Sequence, residues 1–294
     1  MNVGFHTISL LLHDETTAAN ELARIGFRTI AVRPRLSGLD PGADRFVARI
    51  LQFMDTSRRL NLQVIFDIDA HYLHDPQIKE GPSLASPDDA EADDAQAWIE
   101  KWIEIVAEYG VQPSNDAPGD RQSPRSDLVT FGVGIDDASQ HGELQLADEY
   151  QLERLATRLD RLIARAADAH VRLALRPASG HAIAKVAEFE RLQQWLGGTS
   201  PLLLAADVGQ MLSAGEFPVG ARLTRNAELL ACVYLSQPNT QSTSGVSLSP
   251  GEVDFARVLR VLKKSQIEVP AIVQVRGRSE QGLEIAQQAW RSLH

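Results

Sequence analysis

Eight short apolar runs alternate with amphipathic stretches along the chain, and this alternation constrains the fold more than any other feature. The runs are residues 2–10, 27–32, 62–68, 128–135, 171–176, 201–207, 229–235 and 270–275. Several are apolar on both faces, as parallel strands covered by helices must be. The stretches 16–26, 45–59, 89–109, 149–170, 182–196, 254–265 and 279–293 carry apolar residues at helical spacing. The stripe Leu152, Leu155, Leu159, Leu162 and Ile163 is the clearest case. Residues 212–226 form a weaker helical stretch, because Gly215, Pro218 and Gly220 interrupt it.

Units of strand then helix, each about 37 residues long, predict an α/β protein built as a single (β/α)8 barrel over residues 1–294. An open doubly wound sheet is the alternative. No G-x-G-x-x-G follows the first run, which weakens its dinucleotide-binding form. The stretch 112–126, QPSNDAPGDRQSPRS, reads as an exposed loop.

Composition excludes several classes. The chain has 294 residues, 29 basic against 39 acidic, and a formal charge of −10, which argues against coating nucleic acid by bulk charge. Its one cysteine, Cys232, rules out an internal disulfide and a cysteine-based zinc site, and fits a reducing, cytoplasmic setting. No apolar run reaches the roughly 18 residues of a membrane span, so no membrane partner is expected. The N-terminus has no basic region before its apolar run, and no signal peptide is expected. Nucleophile elbows, Walker loops, H-E-x-x-H and C-x-x-C are all missing.

In a (β/α)8 barrel, chemistry sits at the C-terminal ends of the strands. Those ends supply His6 and Ser9, Arg33 and Arg35, Asp67, Asp69 and His71, Asp136, Arg176, Asp207 and Gln210, Tyr234, Ser236 and Gln237, and Gln274, Arg276 and Arg278. Arg33, Arg35, Arg176, Arg276 and Arg278 could together make a basic mouth suited to carboxylate or phosphate. Asp67, Asp69 and His71 alternate along a strand and could share a face. His6 reads as a hydrogen-bonded barrel histidine. The four tryptophans (98, 102, 195 and 290) fall in helical stretches and read as packing residues.

Over nearly its whole length, and most clearly from residue 152 onward, the chain resembles the sugar phosphate isomerase/epimerase group of xylose-isomerase-like TIM barrels, which also includes endonuclease IV. A long helix is followed by LALRP, LAADVGQ, VYLSQ, a loop holding Gly251-Glu252-Val253-Asp254-Phe255, and IVQVRG, in the order and spacing of that group. Gly26-Phe27-Arg28-Thr29-Ile30 resembles its entry into the second strand.

The resemblance implies a divalent metal held by Glu, Asp, His and Glu at the ends of strands five to eight. Here those positions read Arg176, Asp207, Tyr234 and Gln274, and the group's second His and following Asp read Gln210 and Gln237. Arginine has no lone pair to offer a metal. No metal and no other cofactor is therefore expected. Arg176 could instead pair with Asp207 as a fixed internal cation.

Two readings remain open. One is a non-catalytic or repurposed barrel binding a sugar-like or anionic small molecule through Arg176, Asp207, Gln274, Tyr234, Gln237, Arg33, His71 and Arg276. The other is a metal-independent sugar isomerase or epimerase, with Asp207, Asp69 or His71 carrying the proton. The missing metal ligands also disfavour endonuclease-like work on DNA. Analogy with the group further implies a homo-oligomer.

Overall fold

The computed structural model describes residues 2–36, 38–69, 73–74, 81–110, 125–135, 149–237 and 254–293. Eight parallel strands close into a barrel in sequence order. They are β1 Val3–His6, β2 Thr29–Val32, β3 Gln63–Asp67, β4 Leu128–Phe131, β5 Arg172–Leu175, β6 Leu203–Asp207, β7 Leu230–Leu235 and β8 Ala271–Val273. Each lies within a predicted run. The helices among the described residues are α1 Glu15–Ile25, α2 Phe46–Arg59, α3 Asp89–Ile105, α4 Glu149–Asp168, α5 Val186–Trp195, α6 Val208–Ser213, α7 Val219–Arg225, α8 Phe255–Lys264 and α9 Gly282–Leu293.

Local chemistry sets these boundaries. Asp14 caps α1 by accepting the Thr17 N–H at 2.8 Å, and Gly26 ends the helix at φ +126°. In place of the predicted helix at 212–226 stand the last residues of α6, which begins at Val208, and then the short α7. Gly215 (φ +73°) and Pro218 stand between them, where a continuous helix would need helical dihedrals and a backbone N–H. Along α4, Leu152, Leu155, Leu159 and Leu162 are buried, as the stripe required. Trp102 is fully buried and Trp290 packs edge-on against Phe27, whereas Trp195 is exposed rather than packed. Of the predicted exposed loop, residues 112–124 lie outside the described residues. Ser126, its last member, is buried and accepts the Val64 N–H through Oγ.

The core has two parts. One lies between the barrel and its helices. The other fills the barrel, with Ala31, Ile65, Leu128, Ala174, Ala205, Cys232, Tyr234 and Ile272. Strand alternation then fixes what lies above this plug. Arg33 follows Ala31 on the inward face, Asp67 follows Ile65, Thr130 follows Leu128, Arg176 follows Ala174, Asp207 follows Ala205 and Gln274 follows Ile272. Ala31 and Ala174, small themselves, precede the two long arginine side chains on this face. Ser9 ties β1 to the end of β8, donating from Oγ to the Val275 carbonyl at 2.6 Å and accepting the Val275 N–H at 3.1 Å. No helix among the described residues is long and apolar enough to cross a membrane.

Candidate functional site

The polar layer at the C-terminal end of the barrel centres on Asp67. Its Oδ2 accepts from His6 Nε2 at 2.7 Å, Arg33 Nη2 at 2.5 Å, Arg33 Nε at 3.1 Å and Arg176 Nη1 at 3.1 Å. Asp69, two residues on, binds Arg33 Nη2 at 3.3 Å and Arg176 Nη2 through Oδ2, and accepts the Gly132 N–H at 3.0 Å through Oδ1. Two arginines thus face two carboxylates, with Arg33, Arg176 and Asp67 buried. Side chains from β2, β3 and β5 meet because all point into one narrow lumen.

His6 has a determined tautomer. Its Nδ1 accepts the Ile8 N–H at 2.9 Å, so the ring proton sits on Nε2 and is donated to Asp67. Burial dominates its titration and pushes its pKa down to about 4, against the pull of Asp67. Burial alone would raise the Asp67 carboxyl. The Arg176 and Arg33 charges and the His6 hydrogen bond hold it well below its usual value. For Asp69, burial again opposes Arg176, and the carboxyl ends up lowered. Burial works against the charged form of Arg176, but Asp67 and Asp69 raise it well above its usual value. The cluster is therefore two fixed cations on two fixed anions.

The predicted pair of Arg176 with Asp207 does not form. Arg176 turns toward the end of β3, while Asp207 caps α6. Its Oδ1 accepts the Gln210 N–H at 3.2 Å and the Ser236 hydroxyl. Gly209 allows this closure, because a Cβ there would lie 2.3 Å from Ser236 Oγ and 2.5 Å from the Gln237 carbonyl oxygen. Tyr234 stacks under Arg176, whose Cζ lies 4.9 Å from the ring centroid, and its hydroxyl is 2.8 Å from Thr130 Oγ1. Burial and the Asp67 charge raise its pKa well above the usual phenol value. Cys232 lies deeper in the plug, where burial pushes its thiol up to about 12.

The remaining predicted residues divide. Gln274 is buried in the lumen and Gln237 is half-buried beside Ser236. Arg276, two residues past Gln274 at the end of β8, is exposed, yet the charges of Arg33, Arg176, Asp207 and Asp69 reach it. Partial desolvation, then Arg33 and Arg176, lower its pKa. Arg35 does not join the mouth. It pairs with Glu15 at 3.0 Å and donates to the carbonyls of Leu11 and His13, pinning the loop before α1. Arg278 is exposed at φ +55°. His71 and Asp136 lie outside the described residues. Among those described, no group of three His, Cys, Asp or Glu side chains is placed to hold a metal ion.

Sequence reasoning left out Thr130, Gly132 and His181. Thr130 was within reach, because alternation from Leu128 turns it inward. His181 lies beyond β5 with no periodic signal, yet it borders Asp69 together with Gly132, where a Cβ would lie 2.6 Å from the imidazole. A cavity of about 60 Å3 opens there, walled by Phe131 and Trp98.

Residues 19–293 match the family model of xylose isomerase-like TIM barrels. The chain belongs to that family. Among solved structures of this type, the apo 3-keto-D-glucoside 4-epimerase of E. coli aligns over 100% of this chain and 98% of its own, with a TM-score of 0.73 at 13% identity. A putative xylose isomerase from Rhodospirillum rubrum aligns over 100% and 98%, with a TM-score of 0.75 at 14% identity. An L-ribulose 3-epimerase aligns over 99% and 94%, with a TM-score of 0.68 at 16% identity. At such identities the likeness is one of fold. No curated protein matches the sequence.

Proposed function

We propose that this xylose isomerase-like barrel is a non-catalytic or repurposed member that binds a sugar-like or anionic small molecule at its C-terminal mouth, without divalent-metal chemistry. The observation that carries the reading is Arg176, buried and bonded to Asp67 and Asp69 at the position where the sequence resemblance implies a metal-binding Glu. A guanidinium held there repels a divalent cation. The other three positions do not fit a metal either. Tyr234 stays a phenol bonded to Thr130, Gln274 is a neutral amide, and Asp207 is committed to a helix cap and Ser236. Two strand-end acids, Asp67 and Asp69, serve as counter-ions to arginine.

The proposed ligand contacts are Arg176, Arg33, Asp207, Tyr234, Gln237, Gln274, Arg276 and His71. The fold is shared with sugar epimerases, which keeps a carbohydrate-like ligand as the first class to test. The reading also takes the protein as cytoplasmic, homo-oligomeric and independent of membranes and nucleic acid. Thermal-shift measurements over a panel of sugars, sugar acids and sugar phosphates test it, alongside product analysis with and without EDTA. A ligand-dependent shift with no epimer or isomer formed is the expected outcome. Turnover that EDTA abolishes overturns it.

A second reading, a metal-independent isomerase or epimerase, draws on the same structural neighbours. Asp69 suits it poorly, because two arginines and the Gly132 N–H stabilise its ionised form and weaken it as a base. Asp207 and His71 remain as its proton carriers. EDTA-insensitive turnover, lost in Asp207→Asn, distinguishes this reading from the first.

A further inference from the structure

The end of β8 carries two polar side chains that make no hydrogen bond or ion pair with the Arg33–Arg176–Asp67–Asp69 cluster. Gln274 follows the last residue of β8 and shares the inward face of Ile272. It is 2% exposed, and neither its amide nitrogen nor its amide oxygen has a hydrogen-bond partner among the described residues. Buried amides are rarely left so, because nothing then offsets the water they have lost. Arg276, two residues on, is exposed and makes no hydrogen bond or ion pair among the described residues. Arg33 and Arg176, whose charges act on it, already have carboxylate ion pairs, and Arg276 has none among the described residues.

We propose that Gln274 and Arg276 form a recognition pair for a polyhydroxylated anion, a sugar acid being the simplest example. Arg276 would take the anionic group in its bidentate fork. Gln274 would serve a neighbouring hydroxyl, its N–H donating to the hydroxyl oxygen and its carbonyl oxygen accepting the hydroxyl proton. A neutral sugar satisfies the amide but leaves the guanidinium without a counter-ion. A small anion such as inorganic phosphate does the reverse. Only a ligand with both groups meets both demands. The inference rests on the mouth being a ligand pocket, as proposed above.

Isothermal titration of the full-length protein with D-gluconate, D-glucuronate, D-glucose 6-phosphate, D-glucose and inorganic phosphate tests it. The expected result is that at least one of the three sugar anions binds more tightly than glucose or phosphate. Arg276→Ala should weaken that ligand about tenfold or more, and weaken glucose less, with Arg276→Lys recovering part of the loss. Gln274→Met should weaken it as well, with circular dichroism confirming the fold. Preference for glucose 6-phosphate over the acids supports the pair and identifies the anionic group as phosphate. Equal binding of glucose and the anions, or sugar-anion binding indifferent to Arg276→Ala, overturns the pair while leaving the pocket. Binding of none of the five overturns both the pocket and the pair.

Discussion

Arg176 Nη1 lies 3.1 Å from Asp67 Oδ2, with both side chains buried inside the barrel and 109 residues apart in sequence. Coulomb attraction at that distance is strong in a low-dielectric lumen, but so is the desolvation it must offset. What makes the arrangement viable is the number of partners. Asp67 Oδ2 collects both arginines and the His6 N–H, and Asp69 takes the second nitrogen of Arg176.

Removing Arg176 should therefore cost more than an ordinary core substitution. Arg176→Met leaves the buried Asp67 and half-buried Asp69 carboxylates with Arg33 as their one cation among the cluster residues, a loss of about 3–5 kcal/mol by analogy with broken buried pairs. Urea denaturation of the wild type and the variant gives the difference directly. A loss below about 1 kcal/mol would mean that the carboxylates are rescued by water and that the lumen is wetter than the burial implies.

Acid sensitivity should trace in part to His6. Its pKa is about 4 in the folded protein and 6.5 when unfolded, so the unfolded chain binds more protons between those values. The contribution of His6 to stability is complete above pH 6.5 and is lost as pH falls toward 4, a total of about 3 kcal/mol. Asp67 and Asp69, whose carboxyls are lowered, add further loss at more acidic pH as they protonate. His6→Gln should flatten the stability profile between pH 6.5 and 4, even if its stability at neutral pH is lower. An unchanged slope would place the titrating group elsewhere.

Gln274 should show a trade between stability and binding. Replacing a buried, unpartnered amide by the similarly sized apolar Met removes a desolvation cost of about 1–3 kcal/mol. Gln274→Met is thus expected to melt higher than the wild type and to bind ligand less well. A lower melting temperature would show that the amide is well hydrogen-bonded in solution.

Metal removal should leave the protein unchanged. After exhaustive dialysis against EDTA, melting temperature and ligand affinity are expected to equal those of untreated protein, and adding Mn²⁺, Mg²⁺ or Zn²⁺ should shift neither. Elemental analysis that finds stoichiometric metal, with a fall in melting temperature on chelation, would contradict the role given to Arg176.

The barrel was legible because its signals are local. Strands apolar on both faces, Asp14 as a cap and Gly26 as a stop can each be read within one turn or one strand. The site was legible only as a set of strand ends. Alternation says that Arg176 and Asp67 point inward, but the choice of Asp67 and Asp69 over Asp207 depends on the lumen's cross-section and on competition. Asp207 is drawn away by the Gln210 N–H and the Ser236 hydroxyl, two partners that a strand-end reading does not weigh. Arg35 shows the same limit, since its partner Glu15 lies in the preceding loop-to-helix turn. Asp67, Asp69 and His71, alternating along one strand, illustrate how one spacing serves either a metal ion or arginines. For the first two, the inward arginines Arg33 and Arg176 decide.

The motif Asp207-Val208-Gly209-Gln210 makes the last test, because its glycine answers to packing. A Cβ at Gly209 would lie 2.3 Å from Ser236 Oγ and 2.5 Å from the Gln237 carbonyl oxygen, and the second of these is backbone. Neither the end of β7 nor the first turn of α6 can retreat without loosening the Ser236–Asp207 hydrogen bond. Gly209→Ala is expected to cost about 1–3 kcal/mol through this overpacking, against the small gain in helix propensity that alanine normally brings. Because Gln237 moves with the strand end, ligand affinity should fall too. Gly215→Ala offers the contrast: its Cβ would meet nothing within 4 Å, but φ +73° strains any side chain there. It should destabilise without changing affinity. Comparing melting temperature and affinity for the two variants separates a glycine kept for close approach at the mouth from one kept for its backbone conformation. If Gly209→Ala behaves like Gly215→Ala in both measurements, the contact between α6 and the end of β7 does not shape the ligand site.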